Sequence, residues 1–193
     1  MLEAPFSGTE PVTFATAQNA WIDTLKGQDP QILAQARQII ATNIYCTLST
    51  CSPEGVPWAS PVFFTYDASW TLYWSSATAS LHSQNLAQNQ GRIAIAIYST
   101  HVEALKGQGL YLSGGAGELA PDRVEAVMQR LFQRAGGKPP TRTATDYLGA
   151  SPRRIYAFQP EKVWMTGERL PQGNQLIDTK IELNLTALLT SEP

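Results

Sequence analysis

Cysteine and histidine are both scarce in this chain of 193 residues, with two of each. Cys46 and Cys51 match no zinc-ligand spacing, and His82 and His101 are too few for a histidine-rich metal centre, so no metal site is expected. Both cysteines read as small buried hydrophobes, kept reduced in a cytosolic setting. Charge is sparse as well. Charged residues make up 16% of the chain, and the net charge is −2 at pH 7. No basic stripe is present, which argues against a nucleic-acid partner. No run of 18 apolar residues occurs, which argues against a membrane-spanning helix. The opening MLEAPFSGTEPV has neither the basic start nor the apolar run of a secretory leader. A cytoplasmic protein is the resulting expectation.

Apolar residues make up 43%, enough for a full core. The length suits a single domain over residues 1–193, with 1–28 as an amino-terminal extension. Phe14 to Lys26 is expected as a short helix carrying Trp21, Ile22 and Leu25. A second helix starts where Asp29 can cap and Pro30 fits the first turn, and it ends near Thr42. Strands then dominate: Ile44 to Thr50, Val56 to Tyr66 and Trp70 to Trp74. Short turns at Ser52–Gly55 and Asp67–Ser69 join them into an antiparallel meander. Pro57 and Pro61 inside the second strand call for an edge, a bulge or a ligand, because proline cannot donate to a ladder.

Ser75 to Gln90 is expected as a loop leading into a short helix with Ser80 as its cap. Strands follow at Ile93 to Tyr98 and, rich in glycine, at Gly107 to Leu119. Pro121 to Arg134 is a helix with the apolar stripe Val124, Val127, Met128, Leu131 and Phe132. After a loop over Lys138 to Thr145 come strands at Arg153 to Phe158, Val163 to Thr166 and Thr179 to Leu183. The fold class is mainly β (α+β): an antiparallel split β-barrel of six to seven strands with peripheral helices. No internal repeat or domain linker interrupts it.

Ser75, Ser76, Thr78 and Ser80 cluster at a strand-to-helix junction. A helix amino terminus presents unpaired N–H groups and partial positive charge, so this junction can hold a phosphate. His82 lies one turn further on. It reads as a cation paired with that phosphate, as a neutral hydrogen-bond donor, or as a surface or packing histidine. Arg153 and Arg154 are a possible phosphate source, but arginines at a strand end read more readily as solvated side chains. No catalytic acid, base or nucleophile stands out.

Four stretches in order, IYCTLSTCSPEGVPWASPVFFTY, LYWSSATASLHSQNL, GRIAIAIYST and GQGLYLSGGAGEL, together resemble the flavin-binding core of the pyridoxamine 5′-phosphate oxidase-like split barrels. RRIYAFQPEKVWM and DTKIEL are similar to the carboxy-terminal strands of that family. The resemblance spans about residues 30 to 183. It implies a homodimer with FMN sites at the subunit interface. Trp58, Ala59, Ser60, Pro61 and Val62 would lie along the flavin ring, and Ser75, Ser76, Thr78, Ser80 and His82 would hold the phosphate. Gln108 and Tyr111 are candidates for the ring's polar edge. Trp164 is similar to a family tryptophan that approaches the flavin from the other subunit. FMN is expected rather than FAD, since one terminal phosphate suits the hydroxyl loop and no G-x-G-x-x-G turn is present.

The implied function is an FMN-dependent oxidoreductase acting on a small molecule or a reduced nicotinamide, with the cofactor supplying the redox chemistry. A haem-binding or haem-degrading barrel and a non-catalytic flavin module are the alternatives. Two departures stand out. Leu81 occupies a place where many relatives carry a lysine or arginine. The Arg- and His-rich carboxy-terminal signature of the vitamin B6 oxidases is missing, so oxidation of pyridoxamine 5′-phosphate itself is not expected.

Overall fold

A computed structural model describes residues 15–104, 106–137 and 142–190. Helix α1 (Pro30–Thr42) starts as its sequence dictates: the Asp29 carboxylate accepts from the amides of Gln31 and Ile32, and Pro30 opens the first turn. Leu33, Ala36 and Ile40 are its buried stripe. Its carboxy-terminal end is held by Arg134, which donates to the carbonyls of Ile40 and Asn43 at 2.7 and 2.6 Å. The same guanidinium lies over the rings of Phe64 and Tyr66, at 5.0 and 4.9 Å from their centroids.

Among the described residues the sheet has eight strands: β1 (Ile22–Asp23), β2 (Tyr45–Cys51), β3 (Pro57–Tyr66), β4 (Leu72–Ala77), β5 (Arg92–Tyr98), β6 (Gly109–Glu118), β7 (Arg153–Gln172) and β8 (Gln175–Leu183). Their order is β1-β8-β7-β4-β3-β2-β5-β6, and β6 also pairs with β7. The last pairing closes β7, β4, β3, β2, β5 and β6 into a six-stranded ring, with β8 and β1 appended to β7. The expected split β-barrel of α+β type is therefore the observed fold. Helix α2 (Leu81–Gln88) follows β4, α3 (Val124–Arg134) follows β6, and α4 (Leu185–Thr190) ends the described chain. No helix among the described residues is long and apolar enough to cross a membrane.

Alternation explains the core. In β5 the residues Ile93, Ile95 and Ile97 are buried while Arg92, Ala94 and Tyr98 are exposed. Trp74 of β4 stacks on Tyr156 of β7 at 5.7 Å inside the ring. A second apolar layer forms outside it, where Val124, Val127, Met128 and Leu131 of α3 cover Tyr73 and Ile155. Asn85 and Leu86 fasten α2 to the barrel. Leu86 is buried in the core, and the Asn85 carboxamide donates to Thr50 Oγ1 at 3.0 Å.

Several expectations change. No helix forms over the described part of Phe14 to Lys26; Phe14 itself lies outside the described residues. Ala17–Asn19 makes a 3₁₀ turn, Ile22–Asp23 pairs in parallel with β8, and Lys26–Gln28 makes another 3₁₀ turn. Ala20 and Trp21 take φ of 55° and 60°, which ends any helix there. The two strands expected at Arg153 and Val163 are one strand of 20 residues. It bends where the register against β6 shifts between Ser113 and Gly114, opposite Pro160. Ser75 and Ser76 belong to a strand rather than a loop, because β4 pairs with β7 as far as Ala77↔Arg153. Cys46 is buried as expected, and burial pushes its thiol up to about 12. Cys51 is exposed instead, since it alternates outward at the end of β2. Of the expected loop at 138–145, residues 138–141 lie outside the described residues, and Ala144–Tyr147 forms a 3₁₀ turn.

Candidate functional site

The turn Asp67–Thr71 joins β3 to β4, and the two strands pair only at Phe64↔Trp74, Thr65↔Tyr73 and Tyr66↔Leu72. Beyond Phe64 they part. From Phe63 back to Pro57, β3 pairs with β2, and β4 goes with β7. Pro61 contributes to the parting, having no N–H for a ladder. The gap is a cleft of about 510 Å³, within the range of about 300–1,000 Å³ usual for small-molecule sites. Pro61, Val62 and Phe63 line one wall, and Ser75, Ser76 and Ala77 line the other. These six residues are the ones whose pairing would have continued the ladder.

The cleft is divided chemically. Leu131 and Phe132 from α3, Ala135 just after it, Tyr147, and Val62 and Phe63 from β3 form an apolar side. Ser75, Ser76, Ser80, His82, Arg142 and Arg153 form a polar one. His82 bridges the parted strands. Its Nδ1 lies 3.0 Å from Ser60 Oγ on β3, and its Nε2 lies 2.8 Å from Ser76 Oγ on β4 and 3.1 Å from Ser80 Oγ. Among the described residues no carboxylate is hydrogen-bonded to the ring, and burial lowers its pKa below the ordinary histidine value. Its surroundings in the chain alone favour the neutral form over the cation, and its hydroxyl partners tie the two walls together.

Ser80 occupies the cap position of α2 without capping it. Its hydroxyl donates to the Ala77 carbonyl at 2.8 Å and sits 2.9 Å from Ser83 Oγ. The amides of Leu81, His82 and Ser83 thus keep no acceptor within the described protein, and the helix terminus beside the cleft retains its donors. Helix α2, with the sequence LHSQNLAQ, carries no cation of its own besides the neutralised His82. Positive charge comes from elsewhere. Arg153 donates to Ser75 Oγ at 3.2 Å and to the Ser75 carbonyl at 3.3 Å.

The remaining predicted residues divide. Ser60 is joined to the cleft through His82, and Trp58 Nε1 donates to Ser60 Oγ at 2.9 Å. Trp58 is half exposed on the surface of β3, and neither it nor Ala59 lines the cleft. Thr78 clasps the end of β7, its amide and hydroxyl both directed to the Pro152 carbonyl. Gln108 lies in a separate polar recess beside Lys26, Asp29 and Thr166. Trp164 pairs across the sheet with Tyr111 and donates to Glu182 at 3.3 Å. Within one chain the structure thus assembles Ser60, Pro61, Val62, Ser75, Ser76, Ser80 and His82, and leaves Trp58, Ala59, Thr78, Gln108 and Trp164 outside.

Sequence reasoning missed Phe63, Phe132, Tyr147 and Arg142 as cleft residues, and gave little weight to Arg153. For the last, strand alternation carried a signal. Two adjacent arginines on a strand point to opposite faces, and here Arg153 enters the cleft while Arg154 turns out to Glu118.

Comparison with known proteins places these features in context. The profile of the family described as "Pyridoxamine 5'-phosphate oxidase" matches residues 32–167. A search of curated proteins found no match. Among solved structures, a protein of unknown function from Agrobacterium tumefaciens superposes with a TM-score of 0.61 at 24% identity, over 79% of this chain and 61% of its own. A heme binding protein from Mycobacterium smegmatis gives 0.61 at 22% identity, over 84% of this chain and 62% of its own. The chain thus spans about three fifths of the length of both. The heme storage protein HutZ from Vibrio cholerae gives 0.51 at 16% identity, over 67% of this chain and 91% of its own. At these identities the likeness is one of fold.

Proposed function

This chain belongs to the pyridoxamine 5′-phosphate oxidase family, and from that premise we propose that it binds FMN in the split between β3 and β4 and serves as a flavin-dependent oxidoreductase. The observation that carries the reading is the chemical division of the cleft. The apolar side formed by Val62, Phe63 and Phe132 suits a flat aromatic ring. The hydroxyls of Ser75, Ser76 and Ser80, the open amides of α2 and Arg153 suit a ribityl phosphate. FMN would bring hydride and single-electron chemistry. The chain's own residues bind, orient and shield: His82 holds the two walls at a fixed spacing, and the α3 side chains exclude water from one side. The substrate class is a small molecule or a reduced nicotinamide.

The reading includes a homodimer. Gln108, Tyr111 and Trp164 stand outside the cleft, and beside Tyr111 the sheet surface carries the small residues Ala94, Ala96 and Ser113. In this reading a second copy packs on that face and brings Gln108 and Trp164 to the partner's cleft. Pyridoxamine 5′-phosphate is not included as substrate. The cations of the segment ERLPQGNQLIDTK are already engaged, Arg169 with Asp178 at 2.7 Å and Lys180 over the Tyr111 ring at 4.8 Å.

Haem is the second candidate, because two of the superposed proteins bear haem titles. The cleft supports it less: both ring nitrogens of His82 are already held by hydroxyls, and His101 is exposed elsewhere. One experiment tests the whole reading. The purified protein is run on a sizing column with light-scattering and absorbance detection, and the released ligand is identified by mass spectrometry. A two-chain mass carrying flavin absorbance and FMN is expected. A Soret band, FAD alone, or a protein that neither retains nor takes up FMN would overturn the cofactor, and a one-chain mass at all concentrations would overturn the dimer.

A further inference from the structure

Resting on the reading of the cleft as a flavin site, we infer that Tyr147 recognises the flavin ring itself, through a hydroxyl that the fold leaves unpaired at the cleft. Tyr147 is only 3% exposed, yet it lines the cleft. Its ring belongs to the outer apolar layer, with Val127, Met128 and Leu131 of α3 and with Tyr73 and Ile155 of the sheet. Its hydroxyl has no hydrogen-bond partner among the described residues. Unlike the buried indole nitrogen of Trp74, that hydroxyl is not sealed from the surface either. The little surface that this side chain keeps therefore lies on the cleft it lines.

Tyr73 supplies the contrast. It is buried in the same layer, but its hydroxyl donates to Asp67 Oδ2 at 2.7 Å and accepts from Arg123 at 2.6 Å. A phenol hydroxyl can donate one bond and accept another, so Tyr73 is satisfied within the chain and Tyr147 is not. Phe63 and Phe132 fill their share of the cleft wall with no hydroxyl at all. Packing alone thus asks for no oxygen at position 147, and an oxygen withdrawn from water without a partner is costly. Ligand sites are mostly apolar, with a few placed polar groups that fix orientation. A flavin ring has such a need: carbonyl oxygens and ring nitrogens run along one edge and methyl groups along the other. The flat faces can rest on Val62, Phe63 and Phe132, while a hydroxyl tells one edge from the other.

Tyr147 is also held in place. Thr143 and Asp146 form a capping box on the turn that carries it, the Thr143 amide donating to Asp146 Oδ2 at 2.7 Å. The Ser151 hydroxyl donates to the Asp146 carbonyl, and Arg154 donates to the carbonyls of Gly149 and Ser151 at 2.6 and 2.7 Å. None of these bonds uses the phenol oxygen. They fix the backbone on both sides of the residue, so the hydroxyl meets a ligand already positioned and little ordering remains to be done on binding.

The test is titration of the apoprotein with FMN, with riboflavin and with lumiflavin, which keeps the ring and lacks the ribityl chain. Quenching of flavin fluorescence reads the affinity, and the melting temperature of each apoprotein is measured alongside, for the wild type, Tyr147→Phe and Tyr73→Phe. Tyr147→Phe should lower the affinity for all three flavins by a similar factor, about three- to tenfold, as for loss of one neutral hydrogen bond. Its apoprotein should melt no lower than the wild type, because the hydroxyl it loses had no partner there. Tyr73→Phe should do the reverse, melting lower while the folded protein binds the three flavins as before. An unchanged affinity in Tyr147→Phe, or a fall confined to the flavins that carry the ribityl chain or the phosphate, would overturn ring recognition. A fall in melting temperature as large as that of Tyr73→Phe would show that the hydroxyl serves the fold, and would overturn it too. In all these outcomes the wild type still binds flavin, so the reading of the cleft survives; a wild type that binds none of the three would sink that reading and this inference with it.

Discussion

Two seams of the same barrel behave in opposite ways. Between β6 and β7 the strands stay paired from Leu110↔Met165 to Glu118↔Tyr156, through a register shift. Between β3 and β4 pairing stops after three residue pairs, and a cleft opens. Each seam is punctuated by a residue that lacks something. Gly114, without a side chain, lets β6 pass the bend in β7: a Cβ there would collide with the Gln159 carbonyl oxygen. Pro61, without an N–H, lies where β3 has lost its second neighbour. A missing side chain closes one seam and a missing donor helps to keep the other open. The closed seam supplies stability, and the open one leaves room for a ligand.

Substitutions can break this contrast. The largest effect is expected at Phe64, the last residue of β3 before the strands part, fully buried and covered by the Arg134 guanidinium. Phe64→Ala should cost about 3–5 kcal/mol through lost burial and a cavity. Denaturant unfolding would measure it, and a cost below 1 kcal/mol would show that the closing pairs do not anchor the split. Next comes Gly114→Ala. Backbone must shift to admit the methyl group, so about 1–3 kcal/mol of destabilisation is expected, with FMN affinity of the folded fraction unchanged. A variant of full stability that binds FMN less well would reverse the roles given to the two seams.

The smallest effect sharpens the comparison. His82 spans the open seam as a neutral ring, and burial depresses its folded-state pKa. The unfolded chain therefore takes up this proton first, at the ordinary value of about 6.5. The stability contributed by the neutral ring is fully present above that pH and is lost as pH falls through the lowered folded-state value. Wild-type stability should decline more steeply below about pH 6.5 than that of His82→Gln. Melting curves across the acid range would check this, and parallel declines for the two proteins would mean that the bridge does not titrate with unfolding.

Much of this architecture was legible beforehand because its causes are local. Asp29 and Pro30 start α1 through contacts reaching no further than Ile32, and the isoleucines of β5 alternate within one strand. The parallel strand at Ile22 was not legible, because Asn19 takes the amides of Thr16 and Ile22 onto its own side chain and no pattern of apolar residues announces it. The site was half legible. The serines were found because they crowd one junction, whereas Phe132 and Tyr147 come from elements that meet the cleft only after folding.

By itself, then, the sequence determined most of the strands and helices between α1 and β8, the cap of α1, the inward and outward faces, and membership of a split-barrel family, since each follows from neighbours a few residues apart or from motifs in order. Tertiary structure decided the charge and reach of the site. Arg153 meets Ser75 across 78 positions of chain, and pairing over that distance depends on which strands the ring brings together. The shift of His82 toward its neutral form has the same reason: a pKa answers to the burial around a side chain, and that burial is assembled from β3, β4 and α2 only when the barrel closes.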